Sequence, residues 1–329
     1  MQKVMRDVLV EKAVSLLSDG TVDRVLGWKR GEFSYDITPA VFESADKIRD
    51  DFVWNEFCGA NFSKYLVAQT KKTEGKLLVF LKPCDTYSFN QLLTEHRFDR
   101  EKVYAVGIPC EGMADIAKLK AVAGEGISSV ESDGGKLCVT TVYEDAPVAV
   151  DAGEVMLERC VNCKSKKHAA YDELIGEEGE VLESGRFDEV EKLEKMTADE
   201  RFAFWQNELS RCIRCNACRD VCPACTCEKC VFNNPASGAE NKAAANSFEE
   251  KMFHIIRAFH VAGRCTDCGE CSRVCPQRIP LHLLNRKFIK DIDSFYGEYQ
   301  AGAEVGSRAP LVNYTKEDIE PSEVFDGRE

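Results

Sequence analysis

The sequence predicts an α/β N-terminal domain, a mostly parallel sheet with covering helices, followed by an α-helical dicluster ferredoxin-like domain. Three observations carry this. Apolar strands alternate with helical stretches between residues 76 and 120, the pattern of a parallel sheet with crossover helices. The run C-x2-C-x2-C-x3-C-P occurs twice between Cys212 and Cys275. The chain of 329 residues is long enough for two domains, each with its own core. The expected division is an α/β domain over 1–170, an acidic linker and helix over 171–200, the dicluster domain over 201–300 and a polar tail over 301–329.

Along the chain, residues 3–18 form a helix on an apolar stripe that includes Val8, Leu9, Leu16 and Leu17, stopped by Asp19-Gly20. Residues 22–28 are a short strand. Pro39 opens a mostly helical stretch to Trp54, and 61–71 is helical again. Residues 76–81 form an apolar strand ending in K-P-C-D. A helix with Phe89, Leu92 and Leu93 follows, then a second such strand at 103–108, ending in G-I-P-C, and another helix. Cys84 and Cys110 therefore sit just past the carboxyl ends of two strands, where open α/β sheets place their sites. Cys138, in the strand-like K-L-C-V-T-T-V, has no such position and reads as core. Residues 171–195 are rich in Glu and Gly, a solvated linker with a surface helix. Thr197 and Glu200 form a capping box for a helix carrying Phe202, Trp205 and Leu209, which reads as packing for the cluster domain. Residues 233–246 are a polar loop. Ser247 and Glu250 cap a helix that Gly263 ends. His254 and His260 on that helix read as structural rather than as ligands. A last helix covers 281–292, and a polar tail follows from Gly302.

The chemistry lies in the cysteines. In the ferredoxin run, three thiolates three residues apart wrap one cluster and the fourth reaches the other. Cys212, Cys215 and Cys218 therefore pair with Cys275, and Cys265, Cys268 and Cys271 pair with Cys222. Pro223 and Pro276 turn the chain away after each run. A single C-x2-C fits zinc or a redox dithiol, but two complete runs with terminal proline do not. Cys160 and Cys163 form a further C-x2-C, and with Cys84 and Cys110 they make four thiolates, enough for a third 4Fe–4S cube. Cys225, Cys227 and Cys230 exceed what two ferredoxin clusters need. Cys58, alone in F-C-G-A-N, has the setting of a small buried hydrophobe.

Composition narrows the class. Hydrophobic residues make up 44% and charged residues 30%, ordinary for a globular protein. Seventeen cysteines in a long chain call for a reducing compartment or bound metal, so the cytoplasm is expected. The N-terminal stretch M-Q-K-V-M-R-D-V-L-V-E-K is amphipathic and interrupted by charges, unlike a signal peptide or a span. Apolar runs such as L-L-V-F-L are too short to cross a bilayer. A net charge of −13 argues against a nucleic-acid partner.

The segment R-F-A-F-W-Q-N-E-L-S-R-C-I-R-C-N-A-C-R-D-V-C-P-A-C-T-C-E-K-C, with the later M-F-H-I-I-R-A-F-H-V-A-G-R-C-T-D-C-G-E-C-S-R-V-C-P, resembles the beta subunit of deazaflavin-dependent formate dehydrogenases. That family is grouped with the beta subunits of deazaflavin-reducing hydrogenases. The resemblance continues through C-G-A-N-F-S-K-Y-L, K-P-C-D, G-I-P-C and C-V-N-C. It implies an electron-transfer subunit with several 4Fe–4S clusters beside a catalytic subunit. It also takes in Cys58 and the Cys225, Cys227, Cys230 triplet. With Cys138 set aside, sixteen cysteines remain, four sets of four, so the expectation rises from at least two clusters to three or four. The fourth would be held by Cys58, Cys225, Cys227 and Cys230.

The resemblance further implies FAD and hydride exchange with a deazaflavin. Here the sequence departs from the family. No glycine pair precedes the first helix, and Y-D-E-L-I-G-E-E-G-E replaces a glycine-rich segment. The expected function is an iron–sulfur electron-relay subunit of an oxidoreductase complex (formate dehydrogenase, hydrogenase or heterodisulfide-reductase-like). It would pass single electrons between a catalytic subunit and another carrier. The alternative is an FAD-containing subunit exchanging hydride with a deazaflavin or nicotinamide, and a zinc-rich scaffold is a third.

Overall fold

The structure, a computed structural model, describes residues 4–72, 74–144, 146–165, 167–181, 185–234 and 247–312, the side chains of 247–251 excepted. Helix α1 (Arg6–Ser18) turns Leu9, Val10, Ala13 and Leu16 into the core; Leu9 and Leu16 belong to the expected stripe, whereas Val8 is exposed. Strand β1 (Arg24–Arg30) follows, and then the first departure. Residues 37–42 form strand β2 (Ile37–Phe42), with Pro39 opposite Trp28 in an antiparallel ladder. The helix expected from Pro39 is confined to α2 (Ala45–Asp51), capped by Ser44. The reason is local: Ile37, Thr38 and Val41 favour a strand, and β2 lies at a sheet edge, where proline is tolerated.

Next come α3 (Ser63–Lys72), β3 (Leu77–Leu81), α4 (Pro83–Thr94), β4 (Val103–Gly107) and α5 (Ile116–Ala123), as the alternation predicts. All five residues of β3 are buried, as a central parallel strand requires. Residues beyond α5 build a second, antiparallel sheet of β5 (Ile127–Asp133), β6 (Lys136–Thr141) and β7 (Val148–Asp151). Gly134 and Gly135, both at positive φ, make the tight β5–β6 turn. Cys138 corrects its expectation. Leu137 and Val139 face the core of this sheet, so the two-residue period turns Cys138 to the other, half-buried face.

After the single turn α6 (Glu158–Val161), the pair β8 (Glu173–Leu174) joins β4 in parallel. The main sheet is therefore ordered β2-β1-β3-β4-β8, with only β2 antiparallel. The stretch expected as linker thus covers the open edge of β4, whose backbone groups need partners. The remaining chain is helical: α7 (Asp188–Lys195), α8 (Ala198–Ser210) with the Thr197–Glu200 capping box, α9 (Ala217–Asp220), α10 (Ser247–Val261), α11 (Glu270–Arg273) and α12 (Leu281–Tyr296). Helix α10 packs against α8 and α12, and α9 against α11. Gly263 at φ 71° ends the α10 region. The expected 247/250 cap, the loop beyond residue 234 and the tail beyond residue 312 lie outside the described residues.

Candidate metal centres

The first ferredoxin run brings Cys212, Cys215 and Cys218 around one small cavity, and Cys275 of the second run closes it. Helix α9 presents Cys218, while Arg214 and Asn216 between the cysteines take left-handed φ of 53° and 62°. The second run repeats this geometry, with Asp267 and Gly269 at 61° and 64°. Cys222 lies close enough to Cys265, Cys268 and Cys271 to raise all three thiols electrostatically, after the larger effect of burial or, for Cys271, a counteracting Arg257. The structure therefore brings together both exchanged sets that the spacing predicts.

Past the ends of β3 and β4, Cys84 in the first turn of α4 and Cys110 face Cys160 of α6 and Cys163 across another cavity. Proline at the start of α4 and the ion pair of Lys82 with Asp85 (2.9 Å) fix that turn. His168 clamps the two strand ends. Its Nε2 lies 3.0 Å from the Leu81 carbonyl and 3.1 Å from that of Ile108, and its Nδ1 lies 2.9 Å from Glu178. Cys268 also borders this cavity. The three sets thus abut in series: the strand-end set, the Cys268 set and the Cys212 set.

The donor chemistry fits 4Fe–4S cubes. At five of the cysteines a backbone N–H two residues on is directed at the sulfur. Arg214 donates to Cys212 at 3.4 Å, and Gly112, Ala224, Asp267 and Glu270 donate to Cys110, Cys222, Cys265 and Cys268. Such bonds stabilise sulfur-borne negative charge. Burial pushes several of these thiols up, Cys110 to about 12 and Cys271 to about 11, so the positive charge of a bound cluster's iron would be needed to hold those as thiolates.

Cys58 stands apart from the triplet. It is fully buried in the α/β core, takes the Asn55 N–H at 3.3 Å, and has Lys82, Glu56 and Cys110 as its charged neighbours. Burial pushes its thiol up to about 12. Cys225 instead shares a hydrogen bond with Cys222, which holds the Cys222 thiol down at about 5. Cys227 lies near Arg264, and Cys230 near Arg219. No described contact joins Cys58 to these three. His254 proves more than structural filler: its Nε2 lies 3.3 Å from Cys212 Sγ. Burial holds its imidazole down at about 3, hence neutral.

The sequence reading missed the buried charges between the sets. Arg159 donates to Glu270 (2.6 Å), the Cys268 carbonyl (2.7 Å) and the Gly59 carbonyl (2.7 Å). Glu270 also binds Arg273 at 2.7 and 2.9 Å. Although burial opposes its charge, these two arginines hold the Glu270 carboxyl at about 2. Arg257, equally buried, donates to the Cys218 carbonyl at 2.9 Å. The arginine that precedes Cys160 in E-R-C was the available sequence signal for Arg159.

A separate cleft of about 740 Å³ lies between the domains. Tyr35, Phe57, Arg273 and Arg278 line it, it reaches Cys275, and the buried His282 borders it. The acidic segment where the resemblance implies glycines is otherwise engaged. Its Glu173–Leu174 pair with β4 and its Glu178 binds His168, so it does not fit a pyrophosphate.

Comparison with known proteins supports 4Fe–4S binding in the helical part of the chain. Residues 208–279 match the family described as 4Fe-4S dicluster domain. The chain is 25% identical to the F420-dependent formate dehydrogenase subunit beta of Methanocaldococcus jannaschii, over 91% of this chain and 92% of that protein. It is 24% identical to the F420-dependent formate dehydrogenase 1 subunit beta of Methanococcus maripaludis, over 66% of this chain and 71% of that protein. A solved chain of the F420-reducing [NiFe] hydrogenase complex from Methanosarcina barkeri aligns with 16% identity and a TM-score of 0.38, covering 48% of this chain and 59% of that one.

Proposed function

We propose that this chain is an iron–sulfur electron-transfer subunit of an oxidoreductase complex, relaying single electrons through three 4Fe–4S clusters. One observation carries the reading: three sets of four cysteines abut in series from the strand ends to the far side of the helical domain. Cys84, Cys110, Cys160 and Cys163 would hold the first cluster. Cys222, Cys265, Cys268 and Cys271 would hold the second, and Cys212, Cys215, Cys218 and Cys275 the third. Clusters bound there supply one-electron carriers. The chain's own residues bind them, exclude water and set their potentials through the N–H···S bonds. The α/β domain up to about residue 170 contributes the first set and the domain from about residue 201 the others.

The names of the relatives support a formate dehydrogenase or hydrogenase catalytic chain as partner, with a further carrier beyond it. No described helix is long and apolar enough to cross a membrane. The number of thiols supports a reducing compartment such as the cytoplasm.

The test is iron, sulfide and flavin per chain after purification without air. About twelve irons are expected. About eight would remove the strand-end cluster, and about sixteen would restore Cys58 and the triplet as a fourth site. The cleft beside Cys275 favours one second reading, an FAD exchanging hydride with a deazaflavin or nicotinamide, since its volume suits an organic cofactor. Flavin absorbance released by acid would support that reading. None after reconstitution with FAD would exclude it.

A further inference from the structure

Two guanidinium groups occupy the two gaps between the three cysteine sets. Arg159 has 7% of its surface exposed and Arg257 has 3%. Arg159 lines the cavity of Cys84, Cys110, Cys160 and Cys163 and at the same time donates to the Cys268 carbonyl of the next set. Arg257 donates to the Cys218 carbonyl of the Cys212 set and to the Cys271 side chain of the Cys268 set. Each arginine therefore touches one set on either side of it. Their Nε atoms have no hydrogen-bond partner among the described residues.

A buried charge without compensation is costly, and Arg159 has only Glu270 close by, which Arg273 also binds. Direct carboxylate partners of Arg257 are absent among the described residues; its recorded neighbours of opposite charge are the thiols of Cys222, Cys271, Cys218 and Cys225. A cluster with its four thiolates is an anion, and each reduction adds one negative charge. Two such anions side by side disfavour reduction of each other, by Coulomb repulsion in a medium of low dielectric. A cation fixed in the gap offsets this for both neighbours.

We propose that Arg159 and Arg257 are positioning residues for electron transfer, each raising the reduction potentials of the two clusters it separates. Arg159 acts on the strand-end and Cys268 clusters, and Arg257 on the Cys268 and Cys212 clusters. The proposal rests on the three-cluster reading. Two other buried cations near the sets have a carboxylate in contact: Lys82 has Asp85 at 2.9 Å, and Arg286, which faces Cys163 and Cys265, has Asp267 at 3.0 Å.

The test is reductive titration of the loaded protein followed by electron paramagnetic resonance, with iron content measured on every sample. Arg159→Gln is expected to shift the strand-end and Cys268 clusters to lower potential and leave the Cys212 cluster in place. Arg257→Gln is expected to shift the Cys268 and Cys212 clusters and leave the strand-end cluster in place. Arg159→Lys and Arg257→Lys should restore most of each shift. Unmoved potentials at full iron content, or a uniform shift of all three clusters, would overturn the proposal. Where a glutamine variant loses iron, protein labelled with 15N only in its arginine guanidinium groups is used instead. Electron-nuclear double resonance of its reduced clusters should then show 15N couplings that weaken in Arg159→Lys and Arg257→Lys, and couplings unchanged in the lysine variants would refute the arrangement. Failure of the underlying reading looks different: Cys84→Ser and Cys110→Ser would leave the iron content unchanged.

Discussion

Gly269 shows how one residue answers to two demands. It takes φ 64°, and a Cβ there would lie 2.5 Å from the Cβ of Arg159. The matching position of the first run holds Asn216, also left-handed, which has no arginine stem against it among the described contacts. Gly269→Ala should therefore destabilise the fold by about 1–3 kcal/mol and loosen the Cys268 set, seen as a lower unfolding midpoint and lost iron. Asn216→Gly should be nearly neutral. Glu270→Gln would leave Arg159 and Arg273 without their carboxylate, a loss of about 3–5 kcal/mol measurable by denaturant unfolding. His282 supplies a pH dependence. Burial holds its imidazole at about 4, against 6.5 for the free group. The unfolded chain therefore takes up a proton below pH 6.5 while the folded chain does not. Stability from this group is complete above pH 6.5 and falls toward pH 4, by up to about 1.4 kcal/mol per unit. Comparing unfolding midpoints of the wild type and His282→Gln at pH 7 and pH 5 should show the steeper loss in the wild type.

At the scale of elements, legibility followed periodicity. The helix α1 and the strands β3 and β4 were plain because their apolar patterns are unbroken. Strand β2 was hidden by Pro39, which reads as a helix opener until the edge position is known. Strand β8 has two residues and exists only because β4 offers it an open edge, a fact no local pattern carries. The cysteine spacing announced the ferredoxin runs, whereas Arg159, Arg257 and His168 come from separate segments and acquire their roles only when folded. The same is true of the tie between α4 and the second run. Glu95, at the end of α4, takes two bonds from Arg264 at 2.8 and 2.7 Å. A double-mutant cycle with Glu95→Gln and Arg264→Gln should give a coupling of about 1–3 kcal/mol.

At the scale of the whole molecule, the sheet-bearing and helical parts are joined by buried and partly buried contacts. Ser88 bonds Thr266 at 2.8 Å, and Lys64 and Arg97 reach the carbonyls of Cys225 and Thr226. Calorimetry of the loaded protein under argon should therefore show one unfolding transition, and two well-separated transitions would contradict this interlock. The crossed arrangement of Cys222 and Cys275 also governs how the protein comes into being. The Cys222 set is not complete until residue 271 has been made, nor the Cys212 set until residue 275, some sixty positions after Cys212. The first run must wait, reduced and open, for the second. On the three-cluster reading, metal delivery to the helical half would come late, after both runs have been made.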